Sequence, residues 1–107
     1  MVDPEVVTLI KRYLNVLVAH GIQADKAVLF GSQARGTARP DSDIDILVIA
    51  KEFDADRWSK EGELWKLTIK AGTRLQPIPV GPRQYLTDDA SPVLEIARRE
   101  GVEITRN

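Results

Sequence analysis

One apolar segment constrains the fold of this chain more than any other feature of its sequence. Residues 43–50 read DIDILVIA, and five apolar residues follow the second aspartate without a break. A strand that is apolar on both faces must be covered on both faces. The segment therefore predicts a buried strand in a sheet that helices pack against.

The rest of the chain alternates between helix and strand signals. Asp3 and Pro4 are typical of a helix start, and apolar residues recur at helical spacing until His20 and Gly21, which we interpret as a polar cap and stop. Further helices are predicted over 32–35, 55–71 and from Ser91 to Gly101, and strands over 26–30, 43–50, 74–80 and 102–105. Pro77 and Pro79 predict that 74–80 is an edge strand or an irregular strand. This order predicts the α/β class with a small mixed sheet.

Length and composition exclude several kinds of site. A chain of 107 residues predicts one domain, residues 1–107. The absence of cysteine and the single histidine exclude disulfides, thiolate sites and a multi-histidine zinc site. No segment is typical of a signal peptide or membrane span, so we expect a cytoplasmic protein. The net charge of -1 does not support duplex nucleic acid binding, although a local basic patch stays possible.

The aspartates of segment 43–50 form a candidate site with a Gly-Ser pair. Residues two apart in a strand point to the same side, so Asp43 and Asp45 present two carboxylates together. Such a pair favours a shared cation, and Mg²⁺ (or Mn²⁺) takes carboxylates together with substrate phosphates. Gly31 lets backbone approach a phosphate, and Ser32 offers a hydroxyl at a helix start. Together these residues indicate phosphoryl or nucleotidyl transfer.

Two other interpretations of the aspartates stay open, and a third is disfavoured. Asp43 can belong to ordinary turn chemistry, and Asp45 can form a structural ion pair with Arg35 or Arg74. An Asp-x-Asp motif also occurs in haloacid dehalogenase phosphatases, but there it follows an apolar strand, whereas here the apolar run comes after it. Arg35 and Arg39 are candidates for phosphate contact, with solvated loop arginines as the alternative.

Residues 29–48, LFGSQARGTARPDSDIDILV, resemble the signature of the minimal nucleotidyltransferases of the DNA polymerase β superfamily: Gly-Ser, ten residues, Asp-x-Asp. The resemblance implies a nucleotidyltransferase fold in which Gly31 and Ser32 hold the triphosphate of an NTP, and we expect this NTP to be ATP. It also implies that Asp43 and Asp45 are catalytic residues that bind Mg²⁺.

The resemblance further implies a partner and exposes one departure. Minimal members of the family transfer AMP, commonly to a helical HEPN-type partner in toxin–antitoxin-like pairs; a homo-oligomer is the alternative. The superfamily normally has a third carboxylate on a following strand, where Gln76 is the nearest polar residue here. If it is not Gln76 that occupies that position, an acid elsewhere, such as Asp25, Glu52 or Asp54, is the alternative. The rival function is therefore a weak or inactive nucleotide-binding antitoxin or regulatory subunit.

Two tryptophans complete the set of candidate residues. Trp58 and Trp65 are seven residues apart and share one face of the predicted helix 55–71. We interpret that face as core, with a partner surface as the alternative. Arg98 and Arg99 are explained by the dipole of the last helix.

Overall fold

The apolar segment is one of two central strands in a four-stranded sheet whose order is β3-β2-β1-β4. The computed structural model describes residues 2–106. The helices are α1 (Pro4–Ala19), α2 (Ser32–Arg35), α3 (Glu52–Ala55), α4 (Glu61–Leu67), α5 (Pro82–Thr87) and α6 (Pro92–Glu100), and a 3₁₀ turn covers Thr68–Lys70. The strands are β1 (Ala24–Phe30), β2 (Ile44–Ala50), β3 (Leu75–Val80) and β4 (Val102–Thr105).

The sheet is mixed, which confirms the predicted α/β class. Strand β1 pairs antiparallel with both β2 and β4, whereas β2 and β3 run parallel. The predicted edge position of the proline-containing strand β3 is confirmed. The Arg57 Nε donates a hydrogen bond of 2.6 Å to the Pro79 carbonyl oxygen.

Alternation along β2 supplies a separate apolar core on each side of the sheet. Ile46 and Val48 pack with residues of α1 and α4 on one side. Leu47 and Ile49 pack on the other side with residues of α6, such as Leu94. The segment is apolar on both of its faces because helices cover both faces of the sheet.

The helix ends predicted from local signals are confirmed. The Asp3 side chain accepts a hydrogen bond from the Glu5 backbone N–H, with Pro4 at the first helical position. At the other end of α1, the His20 Nδ1 lies 2.8 Å from the Val16 carbonyl oxygen. Ser91 caps α6 by accepting a hydrogen bond from the Leu94 N–H. No helix within residues 2–106 is long and apolar enough to cross a membrane.

The prediction of one helix over 55–71 is wrong. The chain is extended at Asp56 (φ -149°, ψ 96°), and helix α4 starts only at Glu61. The Asp56 side chain accepts a hydrogen bond from the Ser59 N–H, which gives the backbone a local alternative to the helix. Helix α5 was not predicted, because part of its cap comes from Asp54, whose carboxylate accepts from the Arg83 and Gln84 N–H groups.

The interpretation of the two tryptophans as core is also wrong. Trp58 lies outside any helix and is 56% exposed, while Trp65 on α4 is 41% exposed. The buried residues of α4 are Leu64 and Leu67. The Arg57 guanidinium carbon lies 4.5 Å from the centre of the Trp58 ring, a cation–π contact at the surface.

Tyr13 connects α1 to α4 by a buried hydrogen bond. Its side chain is fully buried, and its hydroxyl donates to the Leu64 carbonyl oxygen at 2.6 Å. Burial raises the pKa of this phenol above its ordinary value, so it stays a donor at all physiological pH values. Removing the hydroxyl would leave a carbonyl acceptor in the core without this donor.

We predict that Tyr13→Phe lowers the free energy of unfolding by about 1 to 3 kcal/mol, the usual cost of leaving a buried acceptor unsatisfied. Urea denaturation monitored by circular dichroism measures this loss. Tyr85→Phe on the other side of the sheet is the control, since Tyr85 is partly exposed. Equal losses in the two variants would contradict the role given to the Leu64 bond.

Candidate active site

Strand pairing places Asp45 in a row of three side chains across the sheet. Asp45 is the pairing partner of Phe30 on β1 and of Gln76 on β3. Paired residues on neighbouring strands project from the same face, so the carboxylate lies between an aromatic ring and an amide. Asp45 is half-buried, and Asp43, two residues earlier, is exposed.

Gly31 is packed directly against the Asp45 carboxylate. Its φ of +76° lies in the left-handed region, and a Cβ added there would come within 2.7 Å of the Asp45 Oδ2. Any side chain at position 31 would therefore displace the carboxylate. The sequence predicted a glycine for close approach to a phosphate, and the structure adds the approach of Asp45 as a reason.

Ser32 opens the short helix that follows. The Ala34 and Arg35 N–H groups donate to the Gly31 carbonyl oxygen, which forms the first turn. Gly36 ends the helix in the left-handed region at φ +76°. Ser32 is half-buried and directly follows the glycine that contacts Asp45. The start of α2 therefore lies beside the Asp45 carboxylate.

The charges of the site favour a cation. Burial raises the pKa of the Asp45 carboxyl above its ordinary value, the nearby Asp43 charge raises it further, and the Arg35 guanidinium opposes both effects. Within residues 2–106 no three His, Cys, Asp or Glu side chains cluster in a way that could hold a metal. Two carboxylates without further protein ligands fit Mg²⁺, which keeps several waters and binds substrate phosphates.

The alternative ion pairs of Asp45 do not form. The Arg35 Nη1 lies 3.3 Å from the Glu100 Oε2, so its partner is a carboxylate on α6. The Arg74 Nη1 donates instead to the carbonyl oxygens of Pro40 at 2.7 Å and Ser42 at 3.2 Å. Asp45 has no ion pair with either arginine in the part of the chain that the structure describes.

Arg74 has a role that the sequence did not indicate: it fixes the loop before Asp43. Arg74 donates two hydrogen bonds to carbonyl oxygens of this loop. Within the loop, the Ser42 hydroxyl also accepts a hydrogen bond of 2.8 Å from the Arg39 N–H. The approach of Arg74 depends on the parallel pairing of β2 with β3, where the Ile44 N–H donates to the Arg74 carbonyl oxygen. No local signal could have shown it.

The acids considered as alternatives to Gln76 are engaged elsewhere. Asp25 lies 3.5 Å from the Arg106 Nε, and Glu52 accepts from the Gln23 N–H at 3.2 Å. Asp54 caps α5. All three lie near the end of the sheet remote from Asp45, because Asp25 is the second residue of β1 and Glu52 and Asp54 follow the end of β2.

A cavity of about 310 Å³ lies behind the loop, between it and the start of α1. It is lined by Glu5, Gln33, Arg39 and Arg74 among others, but not by Asp43 or Asp45. The candidate site therefore lies outside this cavity, beside Gly31.

The chain is similar to known proteins in sequence and in fold. The sequence pattern of the nucleotidyltransferase domain family matches residues 10–95. A protein of Methanocaldococcus jannaschii, provisionally assigned as a protein adenylyltransferase, is 37% identical in an alignment of 71 residues that covers 63% of this chain and 48% of that protein. The chain thus spans about half the length of this curated relative.

Two solved structures share the fold. A provisionally assigned nucleotidyltransferase from Sulfolobus solfataricus has a TM-score of 0.59 at 18% identity, with 91% of this chain and 77% of that chain covered. A toxin–antitoxin structure with AMP-PNP has a TM-score of 0.58 at 26% identity, with 91% of this chain and 70% of that chain covered. At 18% identity the first likeness concerns the fold alone.

We predict that the Asp45→Asn variant has a higher Tm than the wild type in metal-free buffer and a lower Tm than the wild type in Mg²⁺-containing buffer. A carboxyl whose pKa is raised by folding opposes folding when ionised, so the neutral amide raises Tm at pH 7 without metal. At a free Mg²⁺ concentration about ten times Kd, the wild type gains about 1.4 kcal/mol, or roughly 5–10 °C, and the variant does not.

Differential scanning fluorimetry with EDTA or Mg²⁺ measures both effects. Asp25→Asn is the matched control, since it removes an aspartate at the remote end of β1. An Mg²⁺ response that is the same in Asp45→Asn as in the wild type would contradict the metal site.

Proposed function

The chain belongs to the nucleotidyltransferase domain family, and on that premise we propose that it transfers AMP from ATP to an acceptor hydroxyl in a Mg²⁺-dependent reaction. The observation that carries the proposal is the half-buried Asp45 carboxylate, held against Gly31 with the charge of Asp43 beside it. Ser32 starts a helix at the same place. Few other arrangements combine two uncompensated carboxylates with a helix start for phosphates.

Each residue has a distinct role in the proposed reaction. Asp43 and Asp45 would hold the cation, which would supply charge neutralisation and acidify the attacking hydroxyl; Mn²⁺ would serve as well. Gly31, Ser32 and Arg35 hold the triphosphate. The acceptor oxygen bonds to the α-phosphorus as the bond to the bridging oxygen breaks, pyrophosphate leaves, and the hydroxyl proton passes to solvent.

We propose a protein as the acceptor. The relative from Methanocaldococcus jannaschii is named for protein adenylyltransfer, and one structural neighbour is a toxin–antitoxin with AMP-PNP. A helical HEPN-type partner fits both descriptions. The exposed Trp58 and Trp65 are consistent with a partner surface, because aromatic residues are enriched at interfaces.

We also propose that residues 1–107 form a single domain. The family match ends at residue 95, but strand β4 lies beyond it and pairs with β1 in the same sheet. Helix α1 begins before the match and packs its buried residues into the same core as β2.

A second candidate function is a nucleotide-binding regulatory subunit with little or no turnover. Gln76, the pairing partner of Asp45, favours it, since the superfamily normally has a third carboxylate on a following strand. A neutral amide neither binds Mg²⁺ as strongly as a carboxylate nor accepts a proton from a hydroxyl. Nucleotide binding through Ser32 and the two aspartates would persist.

We predict that ATP binds in the presence of Mg²⁺ and that Ser32→Ala weakens binding about fivefold, as expected for the loss of about 1 kcal/mol from one hydrogen bond. Isothermal titration calorimetry measures both values. Ser59→Ala, in the turn before α4, is the control and should bind as the wild type does. The proposed function is wrong if the wild type binds no ATP at millimolar concentrations with Mg²⁺.

We predict that Gln76→Glu tightens Mg²⁺ binding roughly tenfold, because a third carboxylate joins the pair. Asn15→Asp on α1 adds the same charge elsewhere and should have little effect.

ATP labelled at the α-phosphate, given to the chain with a co-expressed partner, decides between the two candidate functions. Label transfer by the wild type supports the enzyme, whereas ATP binding without transfer supports the regulatory subunit.

A further inference from the structure

Glu100, the last residue of α6, holds the guanidinium of Arg35 beside the candidate site. We propose that Glu100 is a positioning residue that keeps Arg35 away from the Asp43–Asp45 pair, so that the carboxylates remain available to a divalent cation and Arg35 to nucleotide phosphates. The inference rests on the proposed function of this site. It concerns a residue outside the segment 10–95 that the family pattern matches.

The backbone fixes the position of Glu100. The next residue, Gly101, is in tight contact with β1: a Cβ there would lie 2.4 Å from the Val28 Cγ1 and 2.2 Å from the Ala97 carbonyl oxygen. Val102 then pairs with Leu29. Helix α6 therefore ends beside the last residues of β1, directly before Gly31 and Ser32.

Arg35 has acids on two sides. Its Nη1 contacts the Glu100 Oε2 at 3.3 Å, while its charge also acts on Asp45, opposing the rise in the Asp45 pKa. Arg35 lies in a helix of only four residues, and its side chain is 50% exposed. The guanidinium therefore has room to move, and the acid that holds it decides where its permanent charge lies.

Contact of Arg35 with Asp45 would harm the site. A guanidinium fork on the carboxylate oxygens occupies the lone pairs that a cation needs and supplies the same neutralisation. Arginine would then replace the metal rather than assist it. Glu100 prevents this competition and leaves most of the five guanidinium N–H groups for phosphate oxygens.

Stability does not account for the Arg35–Glu100 pair. Solvent-exposed ion pairs contribute little to folding, and these side chains are 50% and 33% exposed. The same helix carries a second exposed pair, Glu95 with Arg99 at 3.9 Å, which has no contact with the site. Glu95 therefore provides a control with the same charge change on the same helix.

The test measures Mn²⁺ binding to the 107-residue chain in the absence of nucleotide. The concentration of free Mn²⁺ is monitored by electron paramagnetic resonance. We expect Glu100→Gln to weaken Mn²⁺ binding about fivefold, the scale of one exposed charge pair. Arg35→Gln should bind Mn²⁺ at least as tightly as the wild type. In the Arg35→Gln background, Glu100→Gln should change the affinity no more than Glu95→Gln does.

The outcomes separate the inference from the proposed function. If the wild type binds Mn²⁺ but the effect of Glu100→Gln persists in the absence of Arg35, or never exceeds that of Glu95→Gln, this inference is wrong and the metal site stands. If the wild type binds no Mn²⁺, the proposed function fails and the inference fails with it. Rescue by Arg35→Gln supports positioning, since a purely structural role of Glu100 would not be rescued.

Discussion

The contact between the Asp45 carboxylate and Gly31 is the constraint on which the rest of the site depends. A half-buried carboxylate beside a second one is unfavourable unless a cation or a proton compensates it. The chain tolerates it because Asp45 stands at the start of β2, where water still reaches the sheet. The glycine leaves room for the carboxylate, Arg74 fixes the loop that precedes Asp43, and Glu100 contacts the Arg35 guanidinium.

The parts of this structure that the sequence predicts are those with local causes. The cap at Asp3, the short helix 32–35 and the alternation of β2 follow from residues adjacent in the chain. The break at Asp56 was missed because a helical pattern of apolar residues continues through it. The cap of α5, the loop contacts of Arg74 and the Arg35–Glu100 pair join segments 29 to 65 residues apart, and pairing must be known before they can be seen.

The parallel pairing of β2 with β3 places Gln76 beside Asp45 in the candidate site. The residue type at position 76 enters the row beside Asp45 by register alone, whatever the rest of β3 contributes. On the proposed function, a carboxylate at this position would assist catalysis, whereas the amide of Gln76 leaves the fold and the two aspartates unchanged. We therefore expect the side chain at position 76 to affect turnover more than nucleotide binding.

The outer edge of β3 limits how this molecule can meet other proteins. Because the Arg74 carbonyl faces β2, alternation directs Pro77 and Pro79 outward, where neither has an N–H to offer. Arg57 occupies the Pro79 carbonyl oxygen, and the opposite edge, β4, has only four residues. Another chain cannot readily extend the sheet by strand addition. Contacts with other proteins are therefore expected through side chains and helices. The two blocked edges protect the folded domain from edge-to-edge aggregation.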